Sequence, residues 1–269
     1  IGIGALLEDG IGDTIRVSLT EDPEFELPVC RNIVNRYQDL KTTAEADRNA
    51  VPAIDKLLFD PFHYQRRATL SVGNIGSGHV PVVVADMGKY FSLTTADFVA
   101  FGYQYNESTD KWSIADAAAD FVFCNEEPGF ALPGTLKVLL YQRLWVNAKD
   151  KTKCFPLFEA AEYLDPANAR SSTMNFVMVD CFSEGYPQPA LTEIIAAVQH
   201  DKTVVLCLSS TNRNAMQSVR RMFIELMQHD CRLPVILICN STHETEDESL
   251  VHFAIETGGL LLDGMGDGI

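Results

Sequence analysis

Two side chains near the start of the chain have the types and spacing for anion binding. Arg16 and Ser18 lie in the β-branched run Thr14-Ile15-Arg16-Val17-Ser18-Leu19, which follows a glycine turn, Gly10-Ile11-Gly12-Asp13. Residues two apart on a strand share a face, so Arg16 and Ser18 would point one way and Val17 the other. A guanidinium can donate two parallel hydrogen bonds to a phosphate, and a hydroxyl adds a third. If the shared face is the lumen of a barrel, an unmatched Arg there is costly, and an anion or a carboxylate must meet it. The competing reading is a solvent-facing polar stripe on an edge strand.

Other candidates are weaker. Arg66-Arg67, behind His63 and Tyr64, form a dense basic spot that could contact an anion or a partner. A solvated loop whose arginines pair with nearby carboxylates is the preferred reading. His243 and His252 lie near Glu244, Glu246, Asp247 and Glu248. A metal could sit there, but acids in a first helical turn complement the helix dipole, and no metal ligand is assigned. Asp180 and Asn240 end apolar runs, where α/β enzymes place working residues. No base or nucleophile is identifiable beside them, and Ser209-Ser210-Thr211 reads as a helix cap. H-E-x-x-H, G-x-S-x-G and Walker patterns are absent, so no catalytic residue is assigned.

The formal net charge is -16 and the isoelectric point about 4.7. Such a surface repels nucleic acid and anionic lipid, so neither is an expected partner. No apolar run reaches the ~20 residues of a membrane span. The seven Cys are irregularly spaced and mostly lie in apolar runs, as Cys207 does in VVLCLS. They read as buried thiols of a reducing compartment, and the lack of a C-x-x-C pair argues against zinc or an iron–sulfur cluster held wholly inside the chain.

The elements that must position these residues follow from periodicity. Residues 1–9 look like the end of a helix stopped by Gly10, and 14–19 like a strand whose exit is marked by the Pro-bounded acidic run 21–28. A helix over 29–40 would carry Val29, Ile33, Val34 and Tyr37 on one face. Residues 41–62 are polar and mark the best boundary. ATLSV, GNIGSG and HVPVVVAD suggest a hairpin over 68–86. Strands are expected at 98–104, 119–124, 174–180, 203–209 and 235–240. Helices are expected at 189–199, at 213–229 after Asn212, and at 246–257 after Thr245, burying Leu250, Val251 and Ala254. The stripe Met216, Val219, Met222, Phe223, Leu226 and Met227 reads as core. Unalternating apolar strands separated by helices imply a parallel sheet covered on both faces, either an open doubly wound sheet or a barrel.

A repeat favours the barrel. Residues 6–15, LLEDGIGDTI, return as residues 260–269, LLLDGMGDGI, with seven of ten positions identical. A spacing of 254 positions matches the roughly 250 residues of one (β/α)₈ unit. On that reading residues 1–20 are the last helix and strand of one barrel, and residues 255–269 are the same place in a second. The expected fold is therefore α/β, a TIM-barrel-like (β/α) module with parallel strands, incomplete or decorated. The copy at 264–268 lacks the Thr and stops before any Arg, so its role reads as structural. Strand 14–19 could dock as a substitute final strand of the second barrel, or pair between chains. The opening Ile and the close in mid-motif suggest an excised piece.

The phrase GIGALLEDGIGDTIRVSLTEDPEFE resembles the signature of the 4-hydroxy-3-methylbut-2-enyl diphosphate synthases, over residues 1 to about 34. The run FHYQRR at 62–67 and the closing GGLLLDGMGDGI resemble the large, three-domain form, in which an extra domain is inserted between the catalytic barrel and a C-terminal cluster domain. The resemblance implies that residues 1–37 end the catalytic TIM barrel and that 38–269 form the inserted, barrel-like middle domain. It implies a parent reductase of the non-mevalonate isoprenoid pathway that opens 2-C-methyl-D-erythritol 2,4-cyclodiphosphate. Electrons would come from ferredoxin or flavodoxin through a 4Fe-4S cluster whose ligands lie outside this chain, in the C-terminal iron–sulfur domain. The resemblance makes Arg16 and Ser18 contacts of the substrate diphosphate, and the isolated chain inactive. The insert would be structural, replacing the second subunit of two-domain relatives. The location implied is the cytoplasm of a bacterium or the plastid stroma of a plant. The alternative reading is an independent phosphate-binding (β/α) enzyme with its own site at the strand ends.

Overall fold

A computed structural model describes residues 1–18, 20, 22–38, 51–54, 56–182, 191–212, 215–241 and 245–269. Two helices lead: α1 (Gly2–Glu8) and α2 (Pro23–Gln38). Seven parallel strands follow in spatial order β1 (Val84–Asp86), β4 (Phe121–Cys124), β5 (Lys137–Tyr141), β6 (Cys154–Glu159), β7 (Asn175–Asp180), β8 (Val204–Ser209) and β9 (Val235–Leu237). A 3₁₀ helix (Thr95–Phe101) and an antiparallel pair, β2 (Tyr103–Asn106) with β3 (Lys111–Ile114), fill the first crossover. Later crossovers carry α3 (Gln142–Trp145), α4 (Ala160–Leu164), α5 (Leu191–Val198), α6 (Ala215–Gln228) and α7 (Glu246–Leu262).

The segment 267–269 joins the two outer edges of this sheet. Gly268 bridges Val82 on one side and Ile236 on the other, both in parallel. Val82 N donates to Asp267 O at 3.0 Å and Leu237 N to Gly268 O at 2.9 Å. An eighth strand position thus closes the ring, and the expected TIM-barrel-like fold is found.

Parallel strands covered on both faces bury residues on both sides, which is why these runs do not alternate in hydropathy. Phe121, Leu139, Phe155, Leu157, Phe176, Val205, Cys207 and Ile236 point inward to fill the lumen. Val177, Val179, Leu206, Leu208 and Val235 point outward onto the helices. Met216, Val219, Met222, Phe223 and Leu226 are all buried there, so the methionine stripe is core.

Several sequence expectations change. The run 98–104 is not a strand. It is mostly the 3₁₀ helix, held by a reciprocal cap between Thr94 and Asp97 and ended by Gly102 at φ 94°. The hairpin over 68–86 reduces to one bridge, Val72 with Ile75. Both side chains plug the lumen, and the second half of the segment becomes β1, paired with β4. The strands β5 and β6 were not expected. The acidic run 21–28 starts α2 rather than leaving a strand, because Pro23 suits a first helical position, where no N–H is needed. Val34 is exposed on that helix while Ile33 is buried. In α7 the cap is Thr245 as expected, accepting from Glu248 N at 3.2 Å, but Leu250 is exposed. Ile255, Gly258, Gly259 and Leu260 are the buried positions instead. Of the boundary region 41–62, residues 41–50 and 55 lie outside the described residues.

The two repeat copies share one backbone. Gly10 and Gly264 have φ 73° and 75°, and Gly12 and Gly266 have 108° and 104°. Ile11 N donates to Leu6 O at 2.9 Å, as Met265 N does to Leu260 O at 2.9 Å. Their surroundings differ. Nothing lies within 4 Å of a β-carbon at Gly10, whereas one at Gly264 would meet the Gln65 carbonyl and, at 2.9 Å, Arg66 Cα. Gly10→Ala should cost about 1–2 kcal/mol of backbone strain. Gly264→Ala should cost about a further 1–3 kcal/mol, as overpacking does. Urea midpoints of the two variants would check the order, and equal midpoints would contradict it.

Candidate functional site

The first candidate, Arg16 and Ser18, lies beyond the glycine turn. Residues 14–18 form no strand ladder, contrary to expectation, and Leu19 lies outside the described residues. The cause is topological. A strand needs a sheet edge, and the eighth position of the ring is taken by 267–269. Docking of 14–18 as a substitute final strand is thereby overturned. The alternation survives: Ile15 and Val17 are half-buried, while Arg16 and Ser18 are both exposed on the opposite side. Among the described residues no hydrogen bond or ion pair engages either side chain.

The basic spot is structural: His63 and Tyr64 are exposed and Arg66 is half-buried and paired with a carboxylate, as a solvated loop would have it, but Arg67 is buried. Arg67 is 8 % exposed and donates to Leu233 O at 3.0 Å and to Cys231 O, with its guanidinium 5.7 Å from the Phe223 ring centre. Burial works against its charge, and Cys231 and Asp267 offset part of that. Arg66 reaches His79 O at 2.6 Å and Asp267 Oδ1 at 2.9 Å.

Asp180 stands at the end of β7, as expected, whereas β9 stops at Leu237 and leaves Asn240 three residues beyond it. Asp180 accepts from Thr211 N at 3.2 Å, and the Asn240 carbonyl accepts from His252 Nε2 at 3.0 Å. Ser210 Oγ and Asn212 Nδ2 close the same loop onto the Cys181 and Phe182 carbonyls. Among the described residues the mouth of the barrel is acidic. Glu159 at the end of β6 has its carboxyl pushed up by burial and then by the charges of Glu162 and Asp180. Arg143, just after the end of β5, stacks on the Tyr141 ring at 4.6 Å.

Beside the mouth, a cavity of about 620 Å³ opens between α1, α2, α7 and the ends of β8 and β9. Its centre is an ion cluster that sequence reading did not assemble. Arg36 Nε donates to Glu8 Oε1 at 2.8 Å, Nη2 to Glu256 Oε1 at 2.8 Å, and Nη1 lies 2.6 Å from His252 Nδ1. Burial opposes the Arg36 charge, but Glu8 and Glu256 more than restore it. Cys239, His252 and Glu256 offer three ligand atoms within 4.8 Å of one another. They suit a cation poorly, because the guanidinium already stands against both His252 and Glu256. Both ring nitrogens of His252 are engaged, and the Cys239 thiol is pushed up by burial and by Glu256. The one sequence signal was the i, i+4 pair His252 and Glu256 on α7. His243 and Glu244, expected nearby, lie outside the described residues.

The thiols are dispersed. Cys124 and Cys154 share one core cluster, Cys181 and Cys231 another, and Cys207 is in the lumen. A 4Fe-4S cluster needs several converging thiolates, and these residues do not fit one. Burial pushes Cys124, Cys154 and Cys207 each up to about 12. The thiolate is the form that reacts. Iodoacetamide at pH 8 should therefore label half-buried Cys30 first and spare those three until denaturant is added, as read by peptide mass spectrometry. Labelling of Cys207 as fast as Cys30 would contradict the burial.

Among the described residues no helix is long and apolar enough to cross a membrane. A family model described as the GcpE TIM-barrel domain matches residues 1–31. The whole chain aligns at 33% identity with the 4-hydroxy-3-methylbut-2-en-1-yl diphosphate synthase (flavodoxin) of Parabacteroides distasonis. It also aligns at 29% with the same-named protein of Bacteroides fragilis strain YCH46. At 29% it aligns with the Arabidopsis thaliana protein named 4-hydroxy-3-methylbut-2-en-1-yl diphosphate synthase (ferredoxin), chloroplastic. The chain spans 38% of the length of each of these relatives. No solved structure matches. The likeness read in residues 1–34 thus extends along the whole chain, which is similar to a part of these synthases.

Proposed function

We propose that this chain joins the last helix and strand of a catalytic barrel, residues 1–37, to a second, non-catalytic barrel, residues 38–269. The parent is a reductase of the non-mevalonate isoprenoid pathway. It converts 2-C-methyl-D-erythritol 2,4-cyclodiphosphate to 4-hydroxy-3-methylbut-2-enyl diphosphate, with ferredoxin or flavodoxin as electron donor, in a bacterial cytoplasm or a plastid. A 4Fe-4S cluster would pass those electrons on and would take its ligands from the C-terminal domain of the same chain. Arg16 and Ser18 hold the substrate diphosphate.

The observation that carries this reading is the contrast between the two repeat copies. Leu260, Met265 and Asp267 are 2 %, 0 % and 1 % exposed inside their barrel. Their counterparts Leu6 and Ile11 are 53 % and 57 % exposed, and Asp13 is exposed as well. The first copy has the backbone of a barrel end with its core-facing side uncovered, which supports a barrel built by other residues. An independent phosphate enzyme at the strand ends is disfavoured by the carboxylates there. The test is anaerobic turnover of the cyclic diphosphate with a chemical reductant. The full-length protein should turn over and the isolated 269-residue chain should not. Turnover by the isolated chain would overturn the proposal.

A further inference from the structure

Across the junction of α1 and α7, two glycines meet two isoleucines. A β-carbon at Gly4 would clash with the Ile255 side chain, and one at Gly258 would lie 2.8 Å from Ile1 Cγ1. Ile1 and Ile255 are 254 positions apart, as are Gly4 and Gly258, so both pairs are repeat equivalents. Exchanging the two copies turns the first contact into the second. A third contact maps onto itself: a β-carbon at Gly259 would lie 3.7 Å from Ala5 Cβ, and these positions are equivalents too. An unrelated helix laid on α7 has no reason to obey that exchange. A contact set that survives exchange of its partners is what a two-fold axis produces.

We infer that α1 and α7 cross on a pseudo-two-fold axis, and that this crossing is the interface between two whole barrels of common descent. One is the ring closed by Gly268. The other is the barrel that α1 ends, so this inference rests on the proposed function. The partner that the α7 face fits is a second (β/α) barrel presenting its own last helix. A second observation agrees. Arg220, on α6, binds Asp9 Oδ1 at 2.5 Å and Asp263 Oδ2 at 2.9 Å, and these two aspartates are again repeat equivalents, one from each copy. The axis then calls for a cation from the penultimate helix of the first barrel near Asp263, as Arg220 serves Asp9. Glycine on both sides lets the helix backbones approach closely, and each isoleucine fills the space over the opposite glycine.

The test uses the full-length protein. Cysteines are placed on the axis as Ala5→Cys with Gly259→Cys, and off it as Leu6→Cys with Leu262→Cys. A β-carbon separation of 3.7 Å lies within the usual disulfide range of about 3.5–4.5 Å, once the flexible end of Met216, which the Gly259 β-carbon would meet, moves aside. Under mild oxidation the axial pair should cross-link nearly completely, as read by peptide mass spectrometry, and keep at least about half of the turnover; the off-axis pair should not cross-link. A parallel series guards against misfolding of the cysteine variants. Gly4→Ala should lower the melting temperature and be rescued by Ile255→Ala but not by Ile1→Ala, and Gly258→Ala should show the reverse pattern. No axial cross-link and no crossed rescue in a protein that still turns over would overturn the interface and leave the reductase reading intact. Cross-linking and rescue in an unsubstituted protein with no reductase activity would overturn the reductase reading and leave the interface standing.

Discussion

Asp267→Ala should destabilise the 269-residue chain by about 3–5 kcal/mol, the range for breaking a buried ion pair. The Asp267 side chain is 2 % exposed. Its carboxylate accepts from Arg66 Nη2 at 2.9 Å, Thr69 Oγ1 at 3.1 Å and Val235 N at 3.0 Å. Those donors come from the loop below β1 and from the start of β9, and Asp267 ties both to the closing segment of the ring. Truncation leaves the buried Val235 N–H unpaired and takes the carboxylate from Thr69 and from the Arg66 guanidinium, both half-buried. Asp13, its repeat counterpart, is exposed, so Asp13→Ala in the same chain should stay within about 0.5 kcal/mol. Urea unfolding of the two variants measures the difference. Equal losses would mean that the two copies are not used differently.

Arg16→Ala in the full-length protein should cut turnover by about 100-fold. A hydrogen bond to a charged group contributes roughly 1.5–3 kcal/mol, and a guanidinium on a diphosphate can form two. Each 1.4 kcal/mol or so is a factor of ten in rate. Ser18→Ala, which removes a single donor, should cost about tenfold by the same reasoning. Neither change should move the melting temperature of the 269-residue chain, because both side chains are exposed there and no hydrogen bond or ion pair engages them among the described residues. A drop in stability that tracked the drop in turnover would mean that Arg16 acts through folding.

Much of the barrel could be read from sequence because burial on both faces writes long apolar runs, as in NFVMVD at β7 and VVLCLS at β8. The strands β5 and β6 escaped notice for a related reason. KVLLY runs directly into QRLW, so length cannot separate strand from helix, and Pro156 argues against a central strand in CFPLFE. The run 98–104 misled because its apolar residues outweighed two local signals, the Thr94–Asp97 cap and Gly102. At 14–18 the alternation was right and the pairing was not, since pairing depends on an edge that sequence spacing does not reveal. Arg66 and Arg67 read as surface residues because their acceptors, Leu233 O and Asp267, lie far along the chain. The Arg36 cluster was hidden in the same way, joining residues 28, 216 and 220 positions apart. The repeat was the strongest signal. It was visible as letters, and the structure adds that its two copies share dihedral angles and differ in what surrounds them.

The proposed function separates two places in the molecule: diphosphate binding at residues 16 and 18, and none at the mouth of the barrel formed here. The direct measurement is anaerobic turnover of 2-C-methyl-D-erythritol 2,4-cyclodiphosphate by full-length Arg16→Ala and Glu159→Gln proteins, side by side with the unchanged enzyme. The predicted result is a loss of about 100-fold for Arg16→Ala and a rate within about twofold of the unchanged enzyme for Glu159→Gln. Near-normal turnover by Arg16→Ala with a large loss for Glu159→Gln would place the chemistry at the mouth of this barrel and contradict the account.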